Sequence, residues 1–276
     1  MTAWLRGVEG DVLRTLAQAA AVFCLLDYDG TLAPLAPTPE AACPPPGTAA
    51  LLGALAAAPD TDVALISGRT IAALRHWLDV PGLYYVGVHG LEIQLPNGAM
   101  RYQADVAAVE AALPSIRARL DAAVVNLPGV RIEDKGAALA VHYRLAAPAA
   151  GAAARQLVER IVREQRAAAV PLTVLHGHQV AELRPHGINK GKAVRQLLAA
   201  HAAHALPLYI GDDRTDEEAF AALPPPALTI RVDATGEPTN AAYRVPGPDD
   251  VHRFLQAVLD GRRRRLTERG DAGSGT

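Results

Sequence analysis

The chain has 276 residues, 50% of them hydrophobic but only 4% aromatic, so its core must be built largely from Ala, Leu and Val in one large domain or two modest ones. A net charge of -2 leaves no basic footprint for nucleic acid or an anionic membrane. Cys24 and Cys43 make no disulfide framework, no apolar stretch is long enough to span a bilayer, and no signal peptide is apparent, so a cytoplasmic protein is the expectation.

Strand-like and helix-like segments alternate along the chain, the pattern of an α/β fold with a mainly parallel sheet. The apolar run 22–26 reads as a buried strand that must turn at Gly30. A Pro-rich loop over 34–46 leads to an Ala/Leu helix at about 48–57, a strand at 62–66, a helix at about 70–78 and a strand at 84–88. Pro96-Asn97-Gly98, between 91–95 and 99–103, signals a hairpin. Helix-strand-strand then occurs twice: a helix at 106–125 with strands at 130–133 and 138–144, and a helix at 150–168 with strands at 172–175 and 179–184. That pattern predicts an inserted α+β cap (αββαββ) with a compact antiparallel sheet. The α/β rhythm resumes with a helix from 189, strands at 206–210, 228–232 and 242–245, and helices at 215–222 and 249–259. The expected division is a core over 1–104 and 185–261, a cap over 105–184, and a polar, disordered tail over 262–276.

Four separated segments carry chemistry. In Asp27-Tyr28-Asp29-Gly30-Thr31-Leu32 the two carboxylates leave the strand end toward the same side, where they repel unless a cation or a shared proton intervenes. This points either to a bound divalent cation or to a carboxylate nucleophile beside a carboxylic acid. Ser67-Gly68-Arg69 ends a strand just before a helix, where a hydroxyl and backbone N–H groups can hold a phosphoryl oxygen. Lysine is scarce (Lys135, Lys190 and Lys192), and Lys190, at a helix mouth and followed by Gly191, is the candidate for an active site. Gly211-Asp212-Asp213-Arg214-Thr215-Asp216-Glu217 follows a strand, a suitable setting for a hard cation such as Mg2+, although Asp216 and Glu217 also suit a helix N-terminus.

These segments, with His89-Gly90-Leu91-Glu92 and Glu182-Leu183-Arg184-Pro185, together resemble the trehalose-6-phosphate phosphatase family of the haloacid-dehalogenase-like (HAD) superfamily, over about 23–259. The resemblance implies a Rossmann-like HAD core and Mg2+-dependent hydrolysis of trehalose 6-phosphate through an aspartyl-phosphate. A phosphatase of another sugar phosphate, such as sucrose 6-phosphate, and a non-catalytic sugar-phosphate sensor are the alternatives. It makes Asp27 the nucleophile, Asp29 the acid/base and Lys190 a catalytic cation, with Thr31, Ser67, Gly68 and Arg69 binding phosphate. Metal ligands would be Asp27, Asp212 and the backbone carbonyl of Asp29, with Asp213 and Asp216 nearby to orient metal-bound water or the lysine. Sugar contacts are expected from Glu133, Lys135, His142, Arg144 and Glu182 of the cap and from His89 and Gly90 of the core. His178 stands where the family usually carries a lysine, which is expected to alter sugar contacts or their pH dependence. The expected partner is a small-molecule sugar phosphate, and a monomer is the default.

Overall fold

The computed structural model describes residues 2–103, 106–177 and 179–273. The chain divides into two compact units, one of Met1–Arg101 with Asn189–Thr276 and one of Tyr102–Ile188. The first comprises β1 (Ala3–Trp4), α1 (Glu9–Gln18), β2 (Val22–Asp27), α2 (Thr48–Ala56), β3 (Thr61–Ile66), α3 (Ile71–Trp77), β4 (Tyr84–Gly87), β5 (Glu92–Gln94) and β6 (Met100–Tyr102). The second holds α4 (Ala107–Val124), β7 (Arg131–Asp134), β8 (Leu139–His142), α5 (Pro148–Ala167), β9 (Leu172–Gly177) and β10 (Val180–Pro185). The first unit is completed by α6 (Lys190–His201), β11 (Leu206–Gly211), α7 (Arg214–Ala222), β12 (Leu228–Val232), β13 (Tyr243–Val245) and α8 (Pro248–Gly273).

The nine strands of the first unit are ordered β1-β13-β12-β11-β2-β3-β4-β5-β6, parallel from β1 to β4 and antiparallel between β4 and β5. All six residues of β2 are buried, which is why its sequence is a continuous apolar run rather than an alternating one. Its alternate side chains feed two layers. Val22, Cys24 and Leu26 pack with Leu16, Leu52, Leu55, Phe254 and Leu255, while Phe23 and Leu25 pack with Val194, Leu197, Tyr209 and Phe220.

The second unit has an antiparallel sheet ordered β7-β8-β10-β9. Leu139, Val141, Ala181 and Leu183 bury one face with Val109, Ile116 and Leu120 of α4 and Val158 and Ile161 of α5. By the period of two, Glu133, Ala140, His142, Glu182 and Arg184 occupy the opposite face, with Glu133, Ala140 and Glu182 level across three strands.

Three sequence expectations require correction. The disordered tail at 262–276 does not begin where expected: α8 continues through Gly273, and Arg262 is buried, donating to the carbonyls of Leu16, Ala19, Pro59 and Asp60. Its guanidinium satisfies carbonyls at the C-terminal end of α1, a role for which a helix end selects cations. The first eighteen residues, given no element from the sequence, contain β1 and α1, β1 pairing with β13. The strand expected over 138–144 ends at His142, so Arg144 is exposed in the turn beyond it. Residues 104 and 105, where the core-to-cap boundary was expected, lie outside the described residues.

Candidate active site

Strand register brings the site together. Asp27 of β2 pairs with Ile66 of β3, and Leu26 pairs with Ile210 of β11, so Asp27, Ser67 and Asp212 leave three neighbouring strands at one edge. This is the carboxyl edge of a parallel sheet, where ligands of such folds bind. Asn189 caps α6, its Oδ1 accepting the Lys192 N–H at 2.7 Å, which sets Lys190 at the first helical position.

The Lys190 ammonium is buried between two carboxylates, 2.7 Å from Asp27 Oδ1 and 2.8 Å from Asp216 Oδ1. The same Asp216 oxygen accepts the Tyr209 hydroxyl at 2.7 Å, and its Oδ2 accepts the Asp213 N–H at 2.9 Å. Gly211 makes room for this carboxylate, since a Cβ there would lie 2.3 Å from Asp216 Cγ. Burial by itself would lower the Lys190 pKa, but Asp216 and Asp27 hold it above the usual lysine range. Burial, aided by Asp216 and Asp29, pushes Asp27 up to about 7 against the pull of Lys190. Asp212 is held well above the carboxylate range by burial and by the charges of Asp27 and Asp216.

Oxygens of Asp27, Asp212 and Asp216 lie within 4.8 Å of one another, three carboxylates facing one ammonium. Such a group could hold a metal ion, and the donor set suits a hard cation. Asp212 Oδ1 is buried and has no hydrogen-bond partner among the described residues. The Asp212 carboxylate rests against Gly30 (φ +78°), where a Cβ would come 2.0 Å from Oδ2. Both Asp216 oxygens are engaged by protein donors, so Asp27 and Asp212 are the carboxylates with lone pairs to spare. Asp29, expected among the metal ligands through its carbonyl, has its carboxylate outside this cluster.

The raised pKa values carry a sign. Between 3.8 and about 7 the folded Asp27 carboxyl keeps a proton that the unfolded chain has already lost. Its contribution to stability is therefore complete below the unfolded value and is lost as pH rises through about 7. A cation must displace that proton, so Mg2+ should bind more tightly as pH rises. The expected result is a larger Mg2+-induced rise in melting temperature at about pH 8 than at about pH 5.5. An equal rise at both would mean that these carboxylates do not take up the ion.

Arg69 grips Asp29 with a fork, Nε to Oδ2 at 2.8 Å and Nη2 to Oδ1 at 2.6 Å, and lies over the Tyr28 ring at 4.9 Å. A residue expected to bind phosphate is thus engaged with the expected acid/base. Ser67 Oγ accepts the Arg69 N–H at 3.1 Å, which leaves its hydroxyl proton to donate elsewhere. The Val88 and His89 N–H groups bond to the carbonyls of Arg69 and Ser67 at 2.8 and 2.9 Å. To do so Val88 and His89 take φ values of 47° and 56°, a strained backbone for a β-branched residue. His89 lies over Gly68, where a Cβ would fall 2.6 Å from Nε2. Gly90 (φ +109°) lets the same loop close on α6, where a Cβ would fall 2.8 Å from Ala193 Cβ. Thr31 Oγ1 is buried, with no hydrogen-bond partner among the described residues.

Within the second unit, Lys135 Nζ meets Glu182 Oε2 at 2.7 Å in a buried ion pair, and His142 Nε2 lies 2.8 Å from Glu133 Oε2. Burial opposes ionisation of Glu133, but the bond from His142 and the charge of Lys135 hold its carboxyl below the usual range. The structure therefore brings together four of the expected sugar contacts. Arg144 lies in the exposed turn after β8, and His178 lies outside the described residues.

The trehalose-phosphatase family model matches residues 25–249. The chain belongs to that family. The trehalose-phosphate phosphatase of Mycobacterium marinum is 36% identical over 244 residues, covering 85% of this chain and 60% of that protein. The chain thus spans 60% of the length of this curated relative. Among solved structures, the C-terminal domain of Candida albicans trehalose-6-phosphate phosphatase shares the fold, with a TM-score of 0.80 at 24% identity over 94% of this chain and 98% of that one. Aspergillus fumigatus trehalose-6-phosphate phosphatase gives 0.66 at 29% identity, over 94% and 99%.

For this member of the trehalose-phosphatase family, sequence reasoning missed two residues that support the site. Tyr209 reads as an ordinary strand aromatic; its signal is its place two residues before Gly211, on the same face of β11. Glu92 Oε2 accepts the Ile71 N–H at 3.0 Å and so satisfies the first turn of α3 just after Ser67-Gly68-Arg69. Gly191, read as permitting close approach at the site, instead admits α7, since a Cβ there would lie 2.4 Å from the Glu218 carbonyl oxygen. No helix among the described residues is long and apolar enough to cross a membrane.

Proposed function

We propose that this protein hydrolyses trehalose 6-phosphate to trehalose and phosphate as a cytoplasmic, Mg2+-dependent enzyme. The observation that carries the reading is the group of buried Asp27 and Lys190 with partly buried Asp212 beside Ser67, at one sheet edge of a chain in the trehalose-phosphatase family. Bound by Asp27 and Asp212, Mg2+ supplies charge neutralisation for the phosphate ester and its nucleophile. Asp27 attacks phosphorus and forms an aspartyl-phosphate as the sugar oxygen leaves. Asp29 gives that oxygen a proton, then takes one from the water that hydrolyses the intermediate. Arg69 aims Asp29, and one of its two contacts gives way so that an acid oxygen can reach the leaving group. Lys190 and the Ser67 hydroxyl donate to the phosphoryl oxygens, where the charge of the transition state is spread.

The sugar is read by Glu182, Lys135, Glu133 and His142. Their pairing supports this reading, because a buried ion pair and a half-buried carboxylate–imidazole pair offer fixed donors and acceptors to hydroxyls. The proposal is tested by comparing phosphate release from trehalose 6-phosphate, sucrose 6-phosphate and glucose 6-phosphate. A clear preference for the trehalose ester supports it, and a preference for either other ester moves the substrate assignment.

Glu182→Ala separates sugar recognition from phosphoryl transfer. It is expected to lower kcat/KM on trehalose 6-phosphate by about 100-fold, the cost of stranding a buried charged partner. Turnover of a small aryl phosphate should change by less than about threefold, since that substrate makes no sugar contacts. Equal losses on both substrates would show that Glu182 is not a sugar contact.

A further inference from the structure

Tyr209 is a buried titratable group that the mechanism above does not use, one hydrogen bond beyond Asp216 from Lys190. It lies on β11, next to β2 in the sheet, fully buried, with its ring edge-on to Phe220 of α7 at a centroid distance of 5.5 Å. Burial, together with Asp216 and Asp27, keeps its hydroxyl far above the range in which it could ionise, so toward Asp216 it acts only as a donor. The oxygen it reaches, Asp216 Oδ1 at 2.7 Å, is the one that also accepts Lys190 at 2.8 Å. Lys190 in turn divides itself between Asp216 and Asp27. The hydroxyl, carboxylate, ammonium and nucleophile therefore form one chain of hydrogen bonds.

We propose that Tyr209 is a positioning residue that sets how the Lys190 ammonium is shared, drawing charge from Asp216 so that the ammonium is available to the phosphoryl group. This rests on the phosphatase reading above. Without the hydroxyl, Lys190 is the one side-chain donor left to Asp216 Oδ1 among the described residues, so the carboxylate binds it more strongly and draws it away from the phosphoryl position. The ring has no second polar atom, and its packing against Phe220 is retained by phenylalanine, so Tyr209→Phe removes this one interaction.

The test is a calorimetric titration of inorganic phosphate into the Mg2+-loaded protein, wild type and Tyr209→Phe, together with KM and kcat on trehalose 6-phosphate. Phosphate affinity is expected to weaken about tenfold, the scale of one hydrogen bond to a charged group, with KM rising in parallel. The melting temperature should fall in either case, because a buried bond to a carboxylate is lost; the deciding readout is phosphate affinity, which a merely structural role would leave unchanged. Unchanged phosphate affinity would overturn the inference. In an Asp216→Asn background the same substitution should add less than about twofold, because its route runs through Asp216; a full further loss would overturn it as well. The titration needs no turnover. A wild type that binds phosphate but releases none from the trehalose ester would sink the function reading while Tyr209 is still decided, and a wild type that binds no phosphate would overturn both.

Discussion

Asp27→Asn is expected to lower phosphate release from trehalose 6-phosphate by at least about 10^4-fold, because an amide cannot take the place of the attacking carboxylate. The fold should survive. Asp27 lies in a crowd of carboxylates, and burial there pushes its pKa up to about 7, so its ionised form weakens the folded state above that pH. Removing the charge is therefore expected to leave the metal-free protein at least as stable as the wild type at about pH 8. Thermal denaturation beside an activity assay checks both halves. Appreciable turnover by the variant would remove Asp27 as nucleophile.

Lys190→Ala should act in the opposite sense on stability. The ammonium is the one cation bonded to both Asp27 and Asp216 among the described residues, and both partners are buried. Deleting it strands two buried charges, a loss of about 3–5 kcal/mol by comparison with other broken buried pairs. Mg2+ is expected to recover part of that loss by neutralising Asp27, and acid should recover more as the carboxyls take up protons. Activity should fall about 10^3-fold even with Mg2+, since a phosphoryl-binding cation is gone. Lys190→Arg should not restore it, because a planar fork does not replace a compact ammonium held between two oxygens. Denaturant unfolding with and without Mg2+ measures the first effect, and a variant as stable as the wild type would contradict the buried pairing.

Much of this was legible in the chain because β2, β3 and β11 are buried on both faces and each ends in a polar turn. A continuous apolar run followed by Asp-Gly or Ser-Gly marks both the strand and the place where it stops. Less legible were the features that depend on partners distant in sequence. α1 buries only Val12 and Leu16, too sparse a stripe to stand out, and β1 is two residues long and gains its meaning from β13. Arg262 sits in a run of four arginines that reads as solvated, yet its partners are carbonyls some 200 and more residues earlier in the chain.

The same limit applies within the site. Asp29 and Arg69 are 40 residues apart, each with an independent reading as acid/base and phosphate ligand, and no local pattern announces that they hold each other. Asp216 was readable as a helix-capping residue, and it does accept the Asp213 N–H at the start of α7. The family resemblance set Asp216 near metal-bound water or the lysine, but no local pattern announces its bond to Lys190, which comes from the packing of α6 beside α7. In the second unit, Glu133, His142 and Glu182 share a face because strand alternation and register put them there, and those two rules do act on the sequence alone.

The most direct measurement of the central claim is phosphate release from trehalose 6-phosphate by the wild-type chain with Mg2+, after chelation, and after Mg2+ is restored. The account expects turnover that is abolished by the chelator and returns with the ion. Turnover that persists in the chelator would contradict a cation at Asp27 and Asp212, and the absence of turnover in a folded, Mg2+-loaded protein would contradict the phosphatase itself.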